Sequence, residues 1–253
     1  ATIVLVLAAF AFWKIQSDAN WIIHQTGYGE VATYYLPDSS EVTLNANSQL
    51  RYASDWDDTE SRKVWLEGEA YFKVVKQPIP ASSPASQTSL RKFLVSANEL
   101  EIAVVGTQFN VYARQAKTEV VLEEGAVLVG LDNIEQRTSQ TQMREPLRMQ
   151  PGEKVTYQQQ QLSQQTINPD VYTSWRSRRL VFDAVPLYEV AQKIEEAYGV
   201  KVEFADQELA QQIFTGTVPS TDLKILLEAL TGIYHLQITR QGNQLIIKKS
   251  PMK

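Results

Sequence analysis

The 253-residue sequence has no cysteine. That removes disulfides, thiolate zinc sites and cysteine nucleophiles together, and it suits any compartment, including an oxidising one where a free thiol is a liability. Histidine is nearly absent too. His24 and His235 stand far apart with no second ligand type at usable spacing, which leaves metal binding and acid–base catalysis without a foothold. No Gly-rich phosphate loop, nucleophile elbow or HExxH pattern occurs, and no cofactor is implied. Concentrated positive charge is also missing. The net charge is −5; from Trp175 onward ten Lys/Arg meet nine Asp/Glu, and before it fourteen meet twenty. Neither part carries the basic stripe that a phosphate backbone requires, so nucleic acid is not expected as a partner.

Long apolar runs are scarce, with one exception. Ala1 to Trp13 reads ATIVLVLAAFAFW, and everything after it reads as soluble. Thirteen helical residues reach about 20 Å, against a hydrocarbon core of about 30 Å. The run starts without Met or a positive flank and reads as the later part of a transmembrane helix. Trp13 and Lys14 would stand at its exit, where amphipathic rings and snorkelling lysines collect. Two other readings are a signal-peptide apolar region, since Ala9-Phe10-Ala11 offers an A-x-A pattern, and a buried core helix.

What remains divides in two. From Val31 to Thr166, apolar residues alternate with polar ones at Val42/Leu44, Val64/Leu66, Phe93/Val95, Val120/Leu122 and Val155/Tyr157, the period of half-buried strands. Pro37-Asp38-Ser39, Asn45-Ala46-Asn47, Gly68 and Pro151-Gly152 supply turn chemistry. An all-β domain over residues 28–168 follows, either a solenoid-like β-roll or a sandwich. Val64–Ala70 (VWLEGEA) resembles Val120–Ala126 (VVLEEGA), which suggests stacked hairpin-like turns. The pairs Glu67/Glu69 and Glu123/Glu124 could in principle work as glycosidase carboxylates, but beside Gly turns on strands they read as solvated. Residues 77–89 and 132–145 read as surface excursions.

In residues 176–250 the period changes. Leu180-Val181-Phe182 is a short strand. Leu187, Val190, Ala191, Ile194 and Ala197 then share one helical face behind Pro186, and Gly199 stops the helix. A 33-residue shift superposes Val185-Pro186 on Val218-Pro219, Ile194 on Leu227 and Gly199 on Gly232. The tail is therefore a duplicated strand–helix–strand module, closed by a last strand, Gln244 to Lys248.

Between Leu100/Ile102/Val104 and Phe109/Val111/Ala113 the alternation changes parity, which requires a bulge or tight turn at Gly106. A Thr hydroxyl after a strained Gly can attack the preceding carbonyl, an N-to-O acyl shift that breaks the chain. Gly106-Thr107 is the candidate bond; a plain bulge is the simpler account.

Several stretches, in order, resemble the FecR family of membrane-anchored anti-sigma regulators: Leu36-Pro37-Asp38-Ser39-Ser40 through Ser48, Val64 through Val74, Val105-Gly106-Thr107-Gln108-Phe109-Asn110-Val111, and Leu122-Glu123-Glu124-Gly125. Leu180–Leu187 and Phe214-Thr215-Gly216-Thr217 resemble the domain that follows in Bacteroidetes-type members. Ser39 stands where the usual turn Gly would be. The resemblance implies an α+β multidomain chain: a transmembrane helix stub (1–15), a periplasmic all-β domain, and a duplicated βαβ domain similar to the secretin/TonB short N-terminal (STN) fold. It implies a single-pass inner-membrane protein that relays a signal from the signalling domain of an outer-membrane TonB-dependent receptor to an ECF-type sigma factor, held by a cytoplasmic domain outside this sequence. It also implies no enzymatic activity beyond possible self-cleavage at Gly106-Thr107. For the receptor, an exposed sheet edge at Leu245-Ile246-Ile247 is the expected contact. A periplasmic carbohydrate- or peptidoglycan-binding envelope module is the alternative.

Overall fold

The computed structural model describes residues 21–54, 56, 61–79, 90–131, 145–234 and 236–250. The expected membrane segment 1–15, His235 and most of both long excursions lie outside these residues. Among the described residues, no helix is long and apolar enough to cross a membrane.

Thirteen strands come first: β1 (Trp21–Thr26), β2 (Ala32–Tyr35), β3 (Glu41–Leu44), β4 (Ser48–Ala53), β5 (Arg62–Lys73), β6 (Phe93–Ala97), β7 (Leu100–Val104), β8 (Gln108–Arg114), β9 (Lys117–Glu124), β10 (Val127–Leu131), β11 (Leu147–Met149), β12 (Glu153–Gln158) and β13 (Gln161–Thr166). They belong to one sheet that curls into two halves. The first half runs β1-β4-β5-β6-β7-β10-β11 and the second β2-β3-β5-β8-β9-β12-β13. Strand β5 serves both. Its first part pairs with β4 and, in parallel, with β6; its second part pairs with β3 and β8. Alternation along each strand sends one set of side chains inward. Leu50, Val64, Val95 and Ile102 of the first half meet Leu44, Phe72, Phe109 and Leu122 of the second in one core. Phe72 stacks on Phe109 at 5.0 Å and meets Phe93 edge to face at 6.2 Å, tying the halves together.

Gly68 does not form a turn between strands. It lies inside β5 with φ +99°, where that strand bends from one half to the other, and a Cβ there would come within 2.7 Å of the Ser48 backbone. Gly125, φ +94°, makes the same passage between β9 and β10. Segments 64–70 and 120–126 are thus alike because each carries the chain round a corner of the curl, rather than because hairpins stack.

A short helix α1 (Pro169–Thr173), capped by the Asn168 side chain, and a 3-10 turn (Ser174–Ser177) lead into the tail. There β14 (Arg179–Pro186), α2 (Leu187–Tyr198) and β15 (Lys201–Phe204) are followed by α3 (Gln207–Ala210), β16 (Ile213–Pro219), α4 (Leu223–Tyr234), β17 (Leu236–Gln241) and β18 (Gln244–Lys249). The tail has its own core, in which Val190 and Ile194 of α2 and Leu226 and Leu230 of α4 are buried with Phe182, Phe214 and Leu245. Gly199 ends α2 in the left-handed region, φ +68°.

The strand–helix–strand duplication is present, but its register differs from the 33-residue shift. The ends of β14 and β16 keep that spacing, whereas the helices begin at Leu187 and Leu223. Three additional residues, Ser220 to Asp222, precede α4, and Asp222 Oδ1 accepts the Ile225 amide at 2.9 Å. Leu226 therefore takes the place of Val190, and Gly232 falls within α4 rather than at its end.

Candidate functional site

Gly106 and Thr107 occupy the corner between β7 and β8, where the chain leaves the first half of the sheet for the second. This accounts for the change of parity: the flanking strands lie in different halves, and the register of β8 on β9 also shifts between Gln108 and Phe109, an irregularity two residues from Gly106. Gly106 does not adopt a positive φ. Its small size answers a different demand, because the aliphatic stem of Lys76 would lie 2.1 Å from a Cβ at this position. Gly125 presses from elsewhere, such that a Cβ on it would be 2.9 Å from Thr107 Oγ1 and 3.0 Å from the Gly106 carbonyl oxygen. Thr107 is buried, and its hydroxyl donates to the Ala126 carbonyl at 3.0 Å. Its own carbonyl accepts the Val74 amide at 3.0 Å. The Thr107 hydroxyl and the Gly106 carbonyl are thus confined in a small space, with the hydroxyl turned to the Ala126 carbonyl.

Leu245, Ile246 and Ile247 do not present a sheet edge. Strand β18 is the middle strand of three, parallel to β15 and antiparallel to β17, and Leu245 and Ile247 are buried in the tail core. A terminal strand becomes central when an earlier strand pairs on its far side, and chain order carries no trace of that. The edges of this sheet are β15 and β17. Beside β17, Leu223, Leu227 and Ile238 line a groove flanked by Lys224, Glu228 and Arg240.

A third cluster, unmarked in the sequence, joins tail to body. Tyr112 on β8 donates to Glu196 Oε1 of α2 at 2.7 Å, Gln192 Nε2 donates to the same oxygen at 2.8 Å, and Arg114 Nε lies 3.7 Å from Glu196 Oε2. The Gly29 amide donates to the Ala197 carbonyl at 2.7 Å. Burial and the adjacent Glu196 carboxylate push the Tyr112 phenol up. Glu69, Arg114, Tyr172, Lys193 and Glu196 border a cavity of about 60 Å³ at this junction. The linker is fastened separately. The Arg176 guanidinium lies 3.5 Å over the Tyr71 ring and 3.4 Å from Glu123, and Lys154 Nζ reaches Glu119 Oε1 and Tyr172 Oη at 3.0 Å each. Burial and Glu123 push the Tyr71 phenol up. Residues 112 and 196 share no local pattern, so no periodicity could have paired them.

Other candidate side chains fall into structural roles. His24 stacks on Tyr34 at 4.1 Å and lies 3.1 Å from Tyr52 Oη, and burial lowers its pKa. Glu69 is buried rather than solvated and accepts from Asn45 at 2.7 Å and Asn110 at 2.9 Å, while Glu67 is exposed on the other side of the Gly68 bend. Among the described residues, no group of three or more His, Asp or Glu is placed to hold a metal ion.

The molecule is thus a two-part protein, a curled β body with a duplicated strand–helix–strand module fastened to one of its faces. The FecR protein model matches residues 23–128 and the FecR, C-terminal model matches residues 179–247. Together they span more than half of the sequence, and the chain belongs to the FecR family. Two crystal structures of a candidate anti-sigma factor from Parabacteroides distasonis ATCC 8503, at 2.50 and 1.65 Å resolution, superpose with a TM-score of 0.71 and 21% identity, covering 91% of this chain and 100% of theirs. At that identity the likeness establishes the fold. No curated protein matches the chain.

Proposed function

We propose that this chain is the periplasmic part of an anti-sigma regulator, tethered in the inner membrane through its N-terminal apolar run, which relays a signal from an outer-membrane TonB-dependent receptor to an ECF-type sigma factor. The observation that carries the reading is the presence of both FecR parts, in order, on one chain with the fold of a candidate anti-sigma factor. The tail is the receptor-facing module, akin to the STN fold. With β18 enclosed, the contact moves to the β17 edge, where a partner strand gains main-chain hydrogen bonds and the groove at Leu227 and Ile238 receives its side chains.

Signal transmission would include scission at Gly106-Thr107. Thr107 Oγ1 attacks the Gly106 carbonyl carbon, the Gly106–Thr107 C–N bond breaks, and the hydroxyl proton ends on the freed Thr107 nitrogen. Water then hydrolyses the ester to a Gly106 carboxylate and a fragment beginning at Thr107. The Thr107 hydroxyl must first leave its bond to the Ala126 carbonyl.

Capture of the cognate receptor's signalling domain by this chain tests the reading. Wild type should bind, and Leu227→Asp with Arg240→Glu should lose binding while keeping the native circular dichroism spectrum. Failure of the wild-type chain to bind overturns the receptor assignment; binding that survives both substitutions overturns the β17 edge. Mass spectrometry of the purified chain should show two fragments from wild type and one from Thr107→Ala, and a single intact species from wild type refutes scission.

A further inference from the structure

The curled sheet turns two faces outward, and they differ. On the second half, Tyr71, Tyr112, Glu119 and Lys154 are met by the linker and by α2, through Arg176, Glu196 and Tyr172. On the first half no such covering is found among the described residues, and the side chains are of another kind. Trp21 and Ile23 on β1 are 45% and 57% exposed, and Leu128 on β10 is 42% exposed. Cross-strand register sets Ile23 opposite Arg51 and Arg51 opposite Trp65. Trp21 and Trp65 meet edge to face at 4.9 Å. The Arg51 guanidinium sits 5.4 Å from the first ring and 5.6 Å from the second, and Lys63 Nζ is 5.5 Å from the Trp65 ring. Large apolar side chains interleaved with cations across one outer sheet face make an unusual surface to leave in water.

We propose that this face rests on the bilayer surface, with Trp21, Ile23, Trp65 and Leu128 at the boundary of headgroups and acyl chains and with Arg51 reaching lipid phosphates. Indole rings settle at that depth because one part is apolar and the N–H is polar, and long cationic side chains extend from it to the phosphates. The proposal rests on the membrane-tethered reading above. Trp21 follows Lys14 by seven residues, which reach about 24 Å when extended, so a tether ending at Lys14 holds this face within reach of the membrane.

Two features decide the occupant. A sugar would need an open indole face, and Arg51 and Lys63 already stand over the Trp65 ring. Glu101 holds Lys63 on this face, Oε2 to Nζ at 2.9 Å, so net positive charge does not drive the contact. Apolar insertion does, and docking should persist at salt concentrations that screen exposed charges.

The test uses the 253-residue chain carrying Trp13→Phe, reconstituted in phosphatidylethanolamine/phosphatidylglycerol vesicles with brominated acyl chains. Bromine should quench the indole emission at low and high salt. Trp21→Phe with Trp65→Phe should remove the quenchable component without reducing flotation with the vesicles. Ile23→Ser with Leu128→Ser, which leaves the indoles in place, should also lose quenching. Flotation without quenching overturns the docking and leaves the tether standing; failure to float overturns the tether and the docking with it. A Trp21/Trp65 emission change caused by soluble peptidoglycan fragments, with no bromine quenching, overturns the proposal in favour of a glycan site.

Discussion

Replacing Asp38 by Ala should cost the β body about 3–5 kcal/mol, the range for a buried ion pair that loses one partner. Arg62 begins β5 fully enclosed, and Asp38 is nearly so. The Asp38 carboxylate holds Arg62 Nη1 and also accepts the Ser40 amide at 2.9 Å and the Ser40 hydroxyl at 2.7 Å. The guanidinium also donates to the Val75 carbonyl at 3.0 Å and the Arg91 carbonyl at 2.9 Å, which pins both ends of the excursion between β5 and β6. Without Asp38 a buried charge is left uncompensated. Adding Arg62→Met removes that charge and fills the space with apolar atoms, so the double variant should recover all but about 2 kcal/mol of the loss. The remainder reflects the two carbonyl contacts, each worth about 1 kcal/mol. Trp56 meets Phe93 at 6.1 Å, and the Arg62 guanidinium lies 5.4 Å from that same ring, which provides a local fluorescence probe for urea unfolding. A single variant costing under about 1 kcal/mol, or a double variant costing the sum of the two singles, would refute the reasoning.

Two further outcomes follow from the geometry. Ser39 is exposed and holds φ +66° in the turn closed by its amide on the Leu36 carbonyl at 2.9 Å. Relief of a left-handed penalty of about 1–2 kcal/mol, less the added freedom of the unfolded Gly chain, gives Ser39→Gly a gain of up to about 1 kcal/mol; a lower thermal midpoint would contradict this. The Glu119–Lys154 pair makes linker docking depend on pH. Burial opposes the Glu119 charge, yet Lys154 and Lys117 prevail and lower its pKa; burial likewise opposes the Lys154 charge, yet Glu119 and Tyr172 raise its pKa. The carboxylate contribution is present above the unfolded value of about 4.3 and is lost as pH falls through the lower folded value. The ammonium contribution is present below the unfolded value of about 10.4 and is lost as pH rises through the higher folded value. Glu119→Gln should therefore lower the thermal midpoint near neutral pH and converge with wild type in acid; a constant difference across that range would exclude the pair as the cause.

Much of the body was legible because its signal is local. Val42/Leu44, Val64/Leu66 and Val155/Tyr157 alternate in strands that each place one face in a core, and that pattern appears in any short window. Gly68 was misread because a positive φ serves a bend inside a long strand as well as a turn between two, and the difference lies in the approach of Ser48 from β4. The helical stripes of the tail were readable, yet superposing them by 33 residues missed the three that cap α4, since an insertion at a strand–helix join leaves both periodicities intact. Leu245–Ile247 shows the limit at a candidate site: apolar residues of a last strand look the same whether at an edge or enclosed.

Residue order alone determined the strand and helix periods, the duplicated tail, the absence of thiols, and the place of Gly106-Thr107 at a break in alternation. The periods and that break depend on neighbours within a few positions, and the duplication is the same local pattern met twice. The curling of the sheet, the confinement of that bond between Lys76 and Gly125, the enclosure of β18, and the fastening of Tyr112 to Glu196 were decided by tertiary structure. Each of these brings together residues far apart in the chain, where pairing follows from which surfaces can be buried together and not from any spacing along the backbone.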